Sequence, residues 1–386
     1  MDQSEFPRFG NFPQPFRLGT DLGSARYLIT GISAASGRVC LTLRVDSMRM
    51  LASRIDQLVT RVDRPGLSVF SQDWWLSIVS SSPDYREVRV VRGNVVVGRL
   101  PFILCSNRPG FIWGYNPHWS RLAGPILDQR LSPSEQAEVI SSLLEQLPRW
   151  ASFDFMCDPN LAYADIARDA FKRAGFEHTS QITYVRPPEH GDVLDCRKAK
   201  HRGHIKKAAR ELECVEISAK GFVQFYEANL NAQGKRSYSS LSVLARLIEE
   251  AVGRGQARVI AAKPKSENQP GLGGRSAPCD AAIAYVWDDE RCYYWLSTRR
   301  SLRADDSVAK PHPDATKVLA VRAMEDAQAM NLIFDADGVT TPGTENFYRN
   351  ICGLKEELHR DVYQRFCVLE RLRLKYRQQF RALFAG

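Results

Sequence analysis

The strongest constraint this chain places on its own fold is an order of secondary-structure signals that occurs twice in 386 residues. In the first half, SMRMLASRIDQLVTR sets Met48, Leu51, Ile55, Leu58 and Val59 on one helical face, and Ser71 stands where a second helix, QDWWLSIVSSS, would begin. Strands then read at REVRVVR and VVVGRLPFIL, joined through Gly93 and Asn94 in hairpin-turn positions. A helix at 133–149, a strand at 152–157, a helix at 161–174 and a strand at 177–185 complete the series. The second half repeats it, with helices at 221–233 and 239–253 and strands at 257–262, 281–287 and 292–297. A helix from Asp314 to Met330, a strand at 332–337, a short helix from Thr344 to Ile351 and a strand at 357–366 follow. Duplication of one domain explains this order. The expected division is a lead-in at 1–36, a first domain at 37–190 and a second at 191–386.

The ends of the two repeats are the most specific part of the pattern. DAFKRAGF (169–176) and ENFYRNICGL (345–354) both run from an aromatic and a basic residue, through the end of a helix, to Gly and an apolar residue. Glycine suits the left-handed turn that ends a helix before the chain reverses into a sheet, which predicts positive φ at Gly175 and Gly353.

Composition narrows the class without naming a function. Apolar residues make up 44% and charged residues 25%, the balance of a folded chain rather than a disordered one. Lys and Arg outnumber Asp and Glu by 53 to 44, an excess of +9 that favours anionic partners but is too small to demand nucleic acid. The nine cysteines are odd in number and contain no C-x-x-C pair, as expected of a reduced, cytoplasmic protein. The N-terminal stretch lacks the pattern of a secretory signal, and no apolar run approaches the ~18 residues that span a bilayer. Residues 263–280 read as a polar hairpin loop rich in Gly and Pro. The chain closes in a basic amphipathic helix, LERLRLKYRQQFRALF, whose apolar stripe is expected to pack on its own domain.

The order and the paired closing motifs resemble the GNAT acyltransferase fold. A tandem pair resembles the Fem family of aminoacyltransferases and the acetyltransferase-like proteins named after cellulose-biosynthesis clusters. SVFSQDWWLSIV looks like that family's opening, VVGRLPFILC like its Leu-Pro strand, AKHRGHIKKAARELE like its basic interdomain helix, and NLIFDADGVTTPGTENFYRNICGL like its closing motif. The likeness covers about 65–366. It departs at Asp337, Gly338 and Val339, where the family often has Glu-Gly-Ser, and at Ile351 and Cys352, where the family has an aromatic. The fold class implied is α/β (α+β), two tandem GNAT-like domains, each a mixed twisted sheet flanked by helices.

That resemblance implies acyl transfer to an amine, which needs a neutral nucleophile, a polarised carbonyl and a proton for the leaving group. GNAT-like enzymes often supply the proton from a Tyr on the last helix. Tyr348 holds that position, while the first half has Phe171, so the second half is expected to carry the chemistry. Asp335 and Asp337 alternate along a strand and so face one way, as a base for an acceptor ammonium or as a turn pair. Trp74, Trp75, Tyr115, Asn346 and Arg349 are the acceptor-binding candidates. Donor-binding candidates are Ser297 and Thr298 at a strand end, Thr316 and Lys317 opening a helix, and Arg202, Lys206 and Lys207 on the basic helix.

In that basic helix Ile205, Ala208, Ala209 and Leu212 share an inward face, and Lys198, Arg202, Lys206 and Arg210 line another, as a cationic ridge or a solvated face. Cys196, His201, His204 and Cys214 match no standard zinc spacing, so no metal is expected. The segment before the second-half helix, RADDSVAKPHPDATKV, lacks the Gly of a coenzyme A pyrophosphate turn. The leading expectation is transfer from acyl-CoA to an amine or hydroxyl of a small-molecule, sugar or peptide acceptor. An aminoacyl-tRNA donor is the alternative, and a non-catalytic RNA- or glycan-binding protein is the third reading.

Overall fold

The computed structural model describes residues 66–383, apart from 109, 196–197, 238, 266–278, 302–309 and 339–340. The expected lead-in, the helix around Met48 and most of the 263–280 loop lie outside the described residues. The chain forms two compact units. The first gathers Met1–Asp63, Pro83–Ser180 and Asp361–Gly386, the second Arg64–Ser82 and Gln181–Arg360. These boundaries differ from a cut at 190, because segments next to the boundary pack with residues far away in sequence.

In the first unit, β1 (Tyr85–Arg92) and β2 (Val95–Arg108) form the expected hairpin, with Arg92 opposite Val95 across Gly93 and Asn94. β3 (Phe111–Tyr115), a strand not anticipated, pairs with β2, and the two-residue β4 (Ile126–Leu127) adds to the same strand. A capping box starts α2 (Pro133–Glu145). Ser132 N donates to Glu135 Oε2 at 2.9 Å, and the Ser132 side chain closes the box from the other side. α2 carries the chain across to β5 (Ser152–Cys157), parallel to β3, and α3 (Ala164–Arg173) follows. Residues Asp361–Arg365 pair antiparallel with the far side of β5. Phe102, Phe153, Phe155, Phe171 and Tyr363 fill the core, with Phe171 stacked on Tyr363 at 4.2 Å between centroids.

The second unit repeats this plan. α4 (Ala199–Glu211) leads into a short strand β7 (Leu212–Glu216), and α5 (Ala219–Ala232) and α6 (Leu241–Gly253) follow. Next come β8 (Ala257–Pro264), β9 (Ala281–Trp287) and β10 (Arg291–Arg299), each antiparallel to the strand before it. α7 (Ala315–Ala329) crosses to β11 (Ile333–Asp335), parallel to β10, and the end of β6 (Glu177–Arg186) closes the far side of β11. Thus β5 of the first sequence half is closed by a strand from the second half, β12 (Glu356–Arg365), and β11 by a strand from the first.

α1 (Asp73–Val79) belongs to the second unit, and its cap is Gln72 rather than Ser71, which ends a short 3-10 turn at Val69–Ser71. Asp288 accepts from the Val69 backbone N–H at 3.0 Å, and Phe70 and Trp75 pack on Tyr293 and Trp295 at 5.1 Å each. Among the described residues no helix is long and apolar enough to cross a membrane.

Candidate functional site: an open strand pair and the helix beside it

β10 and β11 are hydrogen-bonded over three rungs only, the last joining Tyr293 to Asp335. β11 stops there, while β10 runs six residues further to Arg299, with a register shift against β9 between Tyr293 and Leu296. Pairing of β10 with β11 therefore ends part-way along the strand. Among the described residues, β10 has no strand partner on its β11 side beyond Tyr293. Ser297 is exposed there, and Thr298 accepts from the buried Asn229 Nδ2 at 2.9 Å.

At the root of this opening Tyr294, the first residue past the last rung, meets the ring edge of Tyr348 at 6.3 Å. Tyr348 is buried in the second unit's core with Cys352 and Leu354. It sits in a π-helical turn, Phe347–Ile351, that continues α8 (Pro342–Asn346). The sequence already contains the cause. Four positions separate Phe171 from Gly175 in the first motif, but five separate Tyr348 from Gly353 in the second. The structure absorbs the extra residue as a π turn, with Cys352 N donating to Phe347 O at 2.8 Å. Both glycines are left-handed as expected, φ +79° at Gly175 and +73° at Gly353. Asn346 and Arg349 lie exposed, Arg349 donating to Glu345 at 3.0 Å and standing 5.9 Å above the Tyr184 ring.

Asp335 and Asp337 do converge, but on a protein partner. Arg360 donates to Asp335 Oδ2 at 2.8 Å and to Asp337 Oδ1 at 3.1 Å, and Thr183 Oγ1 and the Asp337 N–H donate to Asp335 Oδ1 at 2.7 and 2.8 Å. All three charged side chains are within 1% of complete burial. This corrects the expected base role: a carboxylate in a closed ion-pair network gives an acceptor ammonium no access. Asp337 has φ +61°, so the strand expected at 332–337 is only three residues long.

The acceptor candidates Trp74 and Trp75 are likewise corrected. Trp75 is fully buried among Phe70, Trp74 and Trp295, and Trp74 Nε1 donates to Gln72 at 2.6 Å, so both belong to the second unit's framework. Tyr115 lies in the first unit, half-buried and stacked on Trp113 at 5.8 Å.

A charged group gathers where α4 packs on the start of α7. Asp314 holds Lys317 in a short ion pair, with His204 Nδ1 3.7 Å away. His312 Nδ1 accepts from the Asp314 N–H at 3.1 Å while Nε2 lies 3.0 Å from Glu211. Asp280 ties the same corner together, accepting from Arg300 at 2.7 Å and from the His312 N–H at 3.0 Å. Burial opposes ionisation of Asp314, yet the Lys317 hydrogen bond and charge outweigh it and hold the carboxyl below its usual range. Burial and then the charges of Lys317, His204, Lys200 and Lys198 push His201 down, the signature of a cationic neighbourhood.

The first turn of α4 carries no acidic residue, against the helix dipole. Its inward face is Ile205 and Ala208, followed by Leu212, while Ala209, expected inside, is exposed. Lys206, Lys207 and Arg210 are exposed, and Arg202 reaches toward Asp195 at 3.9 Å. Thr316 is half-buried beside Lys317. Sequence reasoning missed Arg360, His312 and Asp280. No local spacing marks them, because Arg300 lies 20 residues from Asp280, Asp335 lies 25 from Arg360 and Glu211 lies 101 from His312. The described residues hold no group of three or more His, Cys, Asp or Glu side chains arranged for a metal ion.

No family model matches the sequence, and no curated protein does. Among solved structures, FemX superposes with a TM-score of 0.52 at 12% identity, over 78% of this chain and 93% of that one. The C-terminal domain of a putative lysylphosphatidylglycerol synthetase from Agrobacterium fabrum gives 0.47 at 13%, over 85% and 96%. A tandem GNAT protein from the clavulanic acid biosynthesis pathway gives 0.41 at 10%, over 85% and 97%. The likeness to FemX covers most of both chains, and the duplicated architecture described above is the fold of FemX.

Proposed function

We propose that this protein is an acyltransferase that moves an acyl group from acyl-CoA to an amine of a polar acceptor, with the second unit carrying the reaction. The observation that supports this most is the end of β10–β11 pairing after Tyr293, on a strand whose last residue, Arg299, reaches the Pro311 and His312 carbonyls just before α7. The extended arm of the donor would lie along that edge from Tyr294 to Thr298. Its phosphates would meet the helix start at Thr316 and Lys317, with His201 and His204 close by.

The acceptor amine, neutral when it reacts, attacks the thioester carbonyl carbon. The C–S bond breaks as the C–N bond forms, the nitrogen loses a proton, and the departing thiolate takes one up. Tyr348, at the root of the opening, is the candidate donor of that last proton. Asp335, Asp337 and Arg360 hold β11 and β12 in place and take no proton.

A second reading is favoured by one observation, the exposed cations of α4. Lys206, Lys207 and Arg210 add exposed positive charge along α4, of the kind that phosphate backbones meet. In that reading the donor is aminoacyl-tRNA, and the leaving group is a ribose hydroxyl instead of a thiolate. Mass spectrometry of reactions containing acetyl-CoA or charged tRNA and a panel of amines tests both. Amide formation from acetyl-CoA supports the first, and formation only from charged tRNA supports the second. Absence of product from either, with salt-sensitive RNA or glycan binding retained, makes the chain a binding protein on a transferase fold.

A further inference from the structure

A cavity of about 270 Å³ lies in the second unit, away from the open strand edge, lined by Val185, Arg186, His190–Asp192, Asp195 and Gly353–Lys355. Its position follows from strand direction. Arg186 lies level with Phe334, and the chain beyond Arg186 runs toward the start of β11, whereas β10 and β11 part past the end of β11.

The cavity has an unusual cation in its wall. Arg186 is 4% exposed, yet no carboxylate among the described residues lies within ion-pair distance of it. Its contacts are carbonyl oxygens: Nη1 donates to Pro187 O at 3.3 Å, and Nη2 to His190 O at 3.1 Å and Gly191 O at 2.5 Å. Nε is buried without a hydrogen-bond partner. Arg360, equally buried, is neutralised by two carboxylates. A buried guanidinium that lacks such a partner carries an unbalanced desolvation cost, which an anion in the adjoining space would offset.

The other charges around the cavity agree with that. Lys355 also lines the cavity and is exposed, two residues after the left-handed Gly353. Asp192 turns onto the Leu194 N–H at 2.7 Å, Asp195 faces Arg202 at 3.9 Å, and His190 is 3.1 Å from Glu356. These acidic groups therefore have their own partners. Gln328 Nε2 also donates to Pro188 O and Gly191 O, at 3.1 and 3.2 Å, so the wall is held in shape without a ligand.

We infer that the cavity between Arg186 and Lys355 is a binding site for a small organic anion, a carboxylate or a phosphate monoester, separate from the open strand pair. Hydrogen exchange of the full chain, read by mass spectrometry, tests it with sodium acetate and sodium phosphate as probes against sodium chloride of equal ionic strength. The expected result is slower exchange at 187–195 and 353–356 with at least one probe, and which one responds names the anion. Lys355→Glu, on the surface and away from the core, should weaken that response about tenfold or more, the scale of losing one charge-assisted hydrogen bond. No protection with either probe overturns the inference, as does protection undiminished in Lys355→Glu, or protection confined to the start of α7.

Discussion

Replacing Arg360 by Met gives the sharpest structural test. The guanidinium is 1% exposed and bridges two carboxylates that are equally buried. Met keeps most of the side-chain volume, so the change removes charge and hydrogen bonds rather than opening a cavity. Two buried carboxylates then face each other without a cation. Breaking a buried pair by removing one partner costs about 3–5 kcal/mol. In a unit of this size roughly 2–4 °C of melting temperature accompany each kcal/mol, so a drop of about 6–20 °C is expected in the transition of the second unit. Adding Asp335→Asn and Asp337→Asn to Arg360→Met should recover more than half of the loss, because the uncompensated charges are gone. Differential scanning calorimetry at neutral pH reads all three proteins. A single variant that melts within about 2 °C of the parent, or a combined variant less stable than Arg360→Met, would refute the assignment of these residues to the framework.

Asp288 makes stability depend on pH. Burial raises its carboxyl to about 6 despite bonds from the Val69, Glu290 and Arg291 N–H groups, so its contribution is full below the ordinary value of 3.8 and is lost as pH rises through 6. Urea unfolding should show that loss, on the order of 2–3 kcal/mol, and Asp288→Asn should flatten it. Gly353→Ala forces a side chain into φ +73° and should cost about 1 kcal/mol of stability in the same assay. Trp75→Ala should destabilise the second unit by about 3–5 kcal/mol, the cost of emptying a fully buried site, whereas an acceptor contact would raise KM at unchanged stability. Tyr348→Phe should lower kcat by roughly 10²–10⁴ with donor affinity unchanged if its hydroxyl gives the proton.

The repeat was readable because it rests on local chemistry. Two helix ends need a left-handed glycine, and Gly175 and Gly353 are both left-handed. Asp335 and Asp337 converge, but not by strand alternation: β11 ends at Asp335, Asp337 is left-handed, and their partner Arg360 is 23 to 25 residues on, beyond any local period. Trp74 and Trp75 look like a binding surface when α1 is placed with the residues that follow it. They become core only once Val69 is tied to Asp288 and Trp75 packs on Trp295, more than 200 residues away. The ridge on α4 was legible as exposed charge through its four-residue spacing. Its short loss of inward face at Ala209 was not, because Ala has too little side chain to report which way it points. The site's corner joins the loop of His312 and Asp314 to Asp280, 32 residues earlier, which no pattern along one segment records.

The central claim is that the open edge of β10 and the start of α7 take an acyl donor. A thermal-shift titration with acetyl-CoA at two salt concentrations, on the parent and on Lys317→Glu, addresses it most directly. Binding should stabilise the parent by about 2.7 kcal/mol at a hundred times Kd, persist at the higher salt, and weaken at least tenfold in Lys317→Glu. No shift with acetyl-CoA in the parent, or an equal shift in Lys317→Glu, would contradict it.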